Sequence, residues 1–119
     1  MGAKSELIRL EEIPWEPFGG QTREIFRKSL SAKAFPSGFK ASLTLARPGG
    51  VFPEHMDPYS HIFYILDGEG EASVEGQTIP LKKGNALTVE AGKKHGYRNS
   101  GPTDLVLITL NIFDGGGGR

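Results

Sequence analysis

From Gly38 onward the chain consists of short β-prone runs separated by turns that contain glycine or proline. The runs expected to form strands are residues 39–47, 62–66, 71–75, 78–81, 86–89, 96–99 and 104–113. Short strands at this spacing are typical of a sandwich or barrel, whereas strand–helix units would need longer periodic segments. The pair Asp67-Gly68 predicts a tight hairpin, because glycine accepts the positive φ that such turns demand. The pattern therefore predicts an all-β fold.

The first forty residues have a weaker pattern. Residues 6–13 and 22–30 are expected to form strands, although their periodicity also allows a short helix. Pro14, Pro17 and the pair Gly19-Gly20 separate the two segments, which argues against a long N-terminal helix. We expect one domain over residues 1–114, because no internal segment resembles a linker, and a disordered glycine-rich tail over 115–119.

Charge and cysteine content exclude several classes of partner and site. Lysine plus arginine equals aspartate plus glutamate at 14 each, so no net positive field attracts nucleic acid or acidic lipid. Cysteine is absent, so any metal site must use nitrogen and oxygen ligands. Apolar runs are too short to span a bilayer, and residues 1–12 are charged throughout, unlike a signal peptide. We therefore expect a cytoplasmic protein with no nucleic acid or membrane partner.

All three histidines lie between positions 55 and 95, and two of them share a segment with an aspartate. His55, Asp57 and His61 are separated by even numbers of residues, so an extended chain would point them to one face. A hairpin partner could then bring His95 opposite them. Three imidazoles and one carboxylate suit one divalent transition metal, which leaves Fe, Mn, Ni, Zn and Cu open.

These residues stand in two spaced motifs that resemble those of the cupin family. The positions of the first motif are occupied here by Gly49, His55, Asp57, His61 and Gly68, and those of the second by Gly84, Glu90, Gly92, His95 and Asn99. The family pattern has histidine where Asp57 stands, glutamate where His61 stands and proline where Glu90 stands. The resemblance implies one double-stranded β-helix (jelly-roll) barrel with one metal site. Asp57 is then either a ligand or a hydrogen-bond acceptor for a ligating imidazole.

Strand alternation indicates what surrounds this site. Phe63 and Ile65 are expected on the face of His61, and Tyr97 and Asn99 on the face of His95, which gives a mostly apolar pocket. Tyr97 could donate a hydrogen bond to a bound substrate, or it could serve packing alone. Tyr59 is expected to face away from the metal or to line the rim.

Two classes of function fit these observations. No phosphate-binding glycine loop is present, and no arginine follows His95 at a distance that would hold 2-oxoglutarate. The resemblance implies a metal-dependent enzyme of oxygenase type that acts on a small organic molecule, with an isomerase, epimerase or decarboxylase as further possibilities. The other class is a barrel that binds a small molecule or metal without turnover. The resemblance also implies a homodimer.

Overall fold

The computed structural model describes residues 6–113, which form one nine-stranded sheet and one short helical turn. The 3₁₀ turn spans Leu10–Glu12, and the strands are β1 (Glu16–Pro17), β2 (Arg23–Ser29), β3 (Lys40–His55), β4 (Ser60–Asp67), β5 (Glu69–Val74), β6 (Gln77–Lys82), β7 (Ala86–Val89), β8 (His95–Arg98) and β9 (Leu105–Ile112). The predicted all-β fold is confirmed. None of the described helical segments has the length and apolar character needed to cross a bilayer.

Strand β3 connects the two halves of the curled sheet. The strand order is β6-β5-β8-β3-β9-β4-β7, with β2 also paired to β3 and β1 paired to β2, and every pairing is antiparallel. The first part of β3 pairs with β2 and β9, whereas its last residues pair with β8. One long strand therefore carries the chain from one side of the barrel to the other.

The strand predicted over residues 39–47 extends to His55 because a bulge, and no turn, follows it. Arg23 pairs with Val51 while Ile25 pairs with Ala46, so residues 47–50 are accommodated opposite Glu24 alone. At Gly50 a Cβ atom would lie 2.8 Å from a backbone oxygen, which explains the glycine. Bulges of this kind bend a strand and allow pairing to resume beyond them.

The N-terminal predictions have mixed outcomes. The strand over 22–30 is confirmed as β2, but the strand expected over 6–13 is wrong, because this segment contains the 3₁₀ turn. The carbonyls of Arg9 and Leu10 accept hydrogen bonds from the backbone amides of Glu12 and Ile13 within the turn, and Lys28 Nζ also donates to the Leu10 carbonyl at 2.6 Å. The tail over 115–119 lies outside the described residues. The homodimer, the cytoplasmic location and the domain extent of 1–114 remain predictions.

The hairpin expected at Asp67-Gly68 is wrong, although the glycine does adopt a positive φ of 85°. Strand β4 pairs with β7 and β9, whereas β5 pairs with β6 and β8, so the chain crosses here between the two sides of the barrel. The tight hairpin lies at Glu75-Gly76, between β5 and β6, where both residues have positive φ. Two successive residues with positive φ are typical of a type I′ turn.

The core lies between the two sides of the barrel, and strand β4 shows how it is built. Its side chains alternate between buried and more exposed positions, with His61, Phe63 and Ile65 buried. The buried apolar residues are Ile25, Leu45, Ala46, Phe63, Ile65, Ala72, Leu81, Val89, Tyr97, Leu105 and Leu107. This alternation confirms that Phe63 and Ile65 share a face with His61, and it places that imidazole inside the barrel.

Candidate metal centre

Three different parts of the fold bring the predicted site residues together. His55 is the last residue of β3, His61 lies near the start of β4, and His95 is the first residue of β8. His55 and His95 are directly paired across β3 and β8, but the expected hairpin is wrong, because four strands separate β3 from β8 in the sequence. Asp57 lies in the loop between β3 and β4, so His55, Asp57 and His61 converge through a turn and not along one extended face.

The four side chains meet at one point. One potential ligand atom from each of them lies within 4.8 Å of all the others. Asp57 Oδ2 is 2.9 Å from His55 Nε2, 2.8 Å from His61 Nε2 and 3.8 Å from His95 Nε2. The carboxylate oxygen therefore faces the Nε2 atoms of all three imidazoles.

Hydrogen bonds on the far side of each ring fix which nitrogen is available. The Nδ1 atoms of His55 and His95 each lie 2.9 Å from a backbone carbonyl oxygen, and His61 Nδ1 lies 2.8 Å from Asn111 Oδ1. A carbonyl oxygen can only accept, so each Nδ1 carries the hydrogen and donates it. In the neutral ring, Nε2 then has a free lone pair directed at the shared point.

This arrangement fits a cation. Three Nε2 lone pairs and one carboxylate repel one another unless a positive charge lies among them, and a divalent ion would provide it. His95 Nε2 is the one buried side-chain nitrogen or oxygen without a hydrogen-bond partner in residues 6–113. A buried polar atom of this kind is costly to leave unpaired, and coordination to a metal would satisfy it.

The surroundings favour the neutral form of His95, which is the form that binds a metal. Burial lowers the pKa of this imidazole below its usual value. The nearby imidazoles of His55 and His61 lower it further, whereas the hydrogen bond to the Lys93 carbonyl and the charge of Asp57 act in the opposite direction. Protons therefore compete less strongly with a metal at this nitrogen.

The four residues open onto a cavity of about 690 Å³. One wall is aromatic: Phe18 packs edge-on against Phe52 with ring centroids 4.8 Å apart, and Phe52 lies 4.8 Å from the His55 ring. A polar wall of the same cavity carries hydroxyl groups, among them those of Thr44 and Thr109, whose oxygens lie 3.0 Å apart. A ligand of moderate size could thus reach the metal point between an apolar and a polar surface.

The residues predicted around the histidines have different places. Tyr97 is 7% exposed and lines the cavity, and its ring packs 5.3 Å from Phe52 and 5.6 Å from Phe63, so it contributes to packing there. Burial also raises the pKa of its hydroxyl well above the usual value. Asn99 does not reach the site: its amide donates to the carbonyls of Ala46 and Thr103, at 2.8 Å each.

Tyr59 lines the cavity, which agrees with one of its two predicted positions, whereas sequence reasoning missed the site role of Asn111. The Tyr59 ring lies 5.1 Å from that of His61, and burial together with the Asp57 charge raises the pKa of its hydroxyl. Asn111 lies on β9 directly opposite His61 and accepts its Nδ1 hydrogen. The available signal was that Asn111 and Thr109 are polar at alternate positions of an otherwise apolar strand.

Comparison with known proteins gives consistent matches. The family described as "Cupin domain" matches residues 42–113. The chain is 30% identical to Protein SchB of Streptomyces halstedii, covering 88% of this chain and 75% of that protein. It is 34% identical to the polyketide synthase CurC of Streptomyces cyaneus over 60% of this chain, and it spans only 47% of that protein. A 5-nitrosalicylic acid 1,2-dioxygenase of Bradyrhizobium is 26% identical over 62% of this chain, which spans 36% of the dioxygenase.

Solved structures agree with the fold. A predicted oxalate decarboxylase from Thermotoga maritima superposes with a TM-score of 0.81 at 25% identity, covering 91% of this chain and 99% of that one. The polyketide cyclase RemF from Streptomyces resistomycificus gives a TM-score of 0.79 at 18% identity, covering 92% and 80% of the two chains. The predicted double-stranded β-helix barrel is therefore confirmed.

Proposed function

The chain belongs to the cupin family, and we propose that it is a metal-dependent enzyme of the oxygenase type that acts on a small organic molecule. The observation that carries this proposal is the direction of the three imidazoles. Each has its Nδ1 hydrogen donated to a fixed oxygen, so that three Nε2 atoms and Asp57 face one point at the end of a cavity. Such a site is prepared for a metal with room beside it for a substrate.

His55, His61 and His95 are the proposed nitrogen ligands, and Asp57 is the proposed fourth ligand. A bound divalent transition metal would act as a Lewis acid or, as iron, would allow reaction with dioxygen. The carbonyls of Pro53 and Lys93 orient two of the imidazoles through their Nδ1 hydrogens.

Residues beside the metal point would control the substrate. Phe18 and Phe52 present apolar surface that excludes water and accepts a flat ring. The Tyr59 hydroxyl, which stays protonated because burial and Asp57 raise its pKa, can donate a hydrogen bond into the same region. These residues bind and orient the substrate.

The oxygenase type is favoured by the likeness to the dioxygenase of Bradyrhizobium. The likeness to a predicted oxalate decarboxylase supports the second candidate, which is a decarboxylase, isomerase or epimerase that uses the same site as a Lewis acid. A barrel that binds its ligand without turnover is the third candidate, and it uses the same residues.

The test is the metal content of protein purified without a histidine tag, in the parent and in the variants His55→Ala and His95→Ala. We expect about one transition metal per chain in the parent and its loss in both variants, because each removes one ligand. Asn85→Ala, which lies in the turn before β7, is the matched control and should retain the metal. A parent that stays empty after incubation with Fe, Mn, Ni and Zn would contradict the proposal.

Oxygen consumption then separates the candidates. The iron-loaded parent is incubated with a panel of small phenols and organic acids while dissolved oxygen and product are followed. Uptake of oxygen that depends on both metal and substrate supports the oxygenase. Product formation without oxygen uptake would support the second candidate, and binding without product would support the third.

A further inference from the structure

Two cationic side chains, Arg27 and Lys40, line the cavity beside the proposed metal point. Neither forms an ion pair with any carboxylate in residues 6–113. Two other arginines do have such partners: Arg47 lies 3.6 Å from Glu24, and Arg98 lies 2.7 Å from Glu71. Both residues are exposed to solvent, and they line the cavity with two positive charges that no carboxylate of the described chain pairs with.

Arg27 is held at the aromatic wall. Its guanidinium carbon lies 4.3 Å from the centre of the Phe18 ring, which in turn packs against Phe52 beside His55. A cation over an aromatic face is attracted by the ring and keeps its hydrogen-bond donors free. This contact places the guanidinium at one end of a row of rings whose other end is the His55 imidazole.

Lys40 lies on the polar wall. It is paired across the sheet with Asn111, the residue that orients His61, while Arg27 is paired with Thr44. Lys40 and Thr44 are four residues apart on β3, which is about 13 Å along a strand. Between them Ser42 adds its side chain to the cavity wall. The hydroxyl groups of Ser42 and Thr44 thus line the cavity along the stretch of β3 that separates Lys40 from the position paired with Arg27.

The negative charges of the cavity do not compensate these cations. Among residues 6–113, only two carboxylates line it, Glu54 and Asp57. Asp57 faces the three imidazoles, and Glu54 accepts a hydrogen bond from Ser73 and lies 3.8 Å from Lys94. The part of the cavity near Arg27 and Lys40 is left positive, and a concave surface strengthens the field of such charges.

We propose that Arg27 and Lys40 form a subsite for the carboxylate of a planar aromatic substrate, whose ring lies against Phe18 and Phe52. The inference rests on the proposed function, because it names the substrate class of the same cavity. The carboxylate receives charge-assisted hydrogen bonds from both cations, and the rest of the molecule extends towards the metal point.

The experiment is a fluorescence titration of the metal-loaded protein with 2-naphthoate and with its neutral amide, 2-naphthamide. Arg27→Gln and Lys40→Gln should each weaken naphthoate binding by about tenfold, because each removes one charged hydrogen-bond donor. The affinity for the amide should hardly change. Arg47→Gln is the matched control, since this arginine pairs with Glu24 and does not line the cavity. Arg27→Lys keeps the charge and should retain part of the naphthoate affinity.

Metal content is measured for every variant, which separates this inference from the proposed function. Naphthoate binding that is unchanged in both variants of a metal-loaded protein would overturn the subsite and leave the metal site standing. An equal loss of naphthoate and amide would also overturn it, since the cavity shape would then be responsible. A parent that holds no metal but binds naphthoate through Arg27 would refute only the proposed function.

Discussion

Asn111 should control metal affinity without touching the metal. Its amide oxygen lies 2.8 Å from His61 Nδ1, and this hydrogen bond keeps the hydrogen on Nδ1 and the lone pair on Nε2. In Asn111→Ala the His61 ring loses that acceptor. The other tautomer then becomes favourable, because a hydrogen on Nε2 can be donated to Asp57 Oδ2 at 2.8 Å. A nitrogen that carries a hydrogen cannot bind a metal.

The size of the effect follows from two hydrogen bonds of His61, one to Asn111 and one to Asp57. A neutral hydrogen bond contributes about 1 kcal/mol, and His61 must give up its new bond to Asp57 before it can coordinate. The sum of losing one bond and breaking another is about 1.5–2.5 kcal/mol, which is a loss of metal affinity of about 10- to 100-fold. Asn111→Asp keeps an acceptor at the same place and should bind the metal at least as well as the parent.

The assay is a competition titration of Zn²⁺ between the protein and a chromophoric chelator at pH 7.5. Asn85→Ala serves as the control, because Asn85 is an exposed asparagine whose side chain accepts a hydrogen bond from Lys82 far from the site. If Asn111→Ala binds Zn²⁺ as tightly as the parent, the tautomer of His61 is not set by Asn111 and the reasoning fails.

Three further predictions follow from the same structure. Gly70→Ala should destabilise the fold by about 1–3 kcal/mol in urea denaturation, because the new methyl group would lie 2.5 Å from the Arg98 carbonyl oxygen. Gly101→Ala, whose nearest contact would be 3.5 Å, should be nearly neutral, and equal effects would contradict the steric argument. Asn99→Ala should lower the free energy of unfolding by about 2–3 kcal/mol and leave metal content unchanged, since this buried side chain makes three hydrogen bonds to backbone groups. Loss of metal would instead place Asn99 in the site. In the metal-free protein, burial lowers the pKa of His95 below 6.5, so the unfolded chain binds a proton that the folded one does not. The resulting stability is present above pH 6.5 and is lost as the pH falls through the folded-state pKa of His95. His95→Gln should weaken this pH dependence of the free energy of unfolding, measured in urea titrations at several pH values. An unchanged dependence would rule out His95 as its source.

The sequence by itself predicted part of every strand from β2 to β9 and the identity of the clustered residues, but not the N-terminal turn, β1 or the full length of β3. Alternation with a period of two depends only on neighbouring residues, which is why residues 62–66 and 86–89 were recognised within β4 and β7. The absence of cysteine left histidine and carboxylate as ligands, and only three histidines exist. Residue type and the two cupin-like motifs predicted that His55, Asp57, His61 and His95 meet, although the first three converge through a turn and not along one extended face.

Local sequence patterns predicted turns and strands less reliably where the pairing partner of a strand is distant in the sequence. Gly68 does adopt the positive φ that its sequence suggests, yet the strands on either side of it pair elsewhere. Residues 6–13 have an acceptable strand pattern, but the edge of β2 is already paired with β1. Strand pairing depends on the packing of the whole sheet, and a period of two carries no information about it.

Only the tertiary structure decided how the site works. Asn111 reaches His61 because β9 pairs with β4, across a sequence separation of 50 residues. Arg27 and Lys40 line the same cavity because β2, which carries Arg27, pairs with β3, which carries Lys40. The availability of each Nε2, and the charge of the cavity wall, depend on atoms far apart in sequence. Residue type and spacing set which groups are present, whereas strand register sets which atoms face one another.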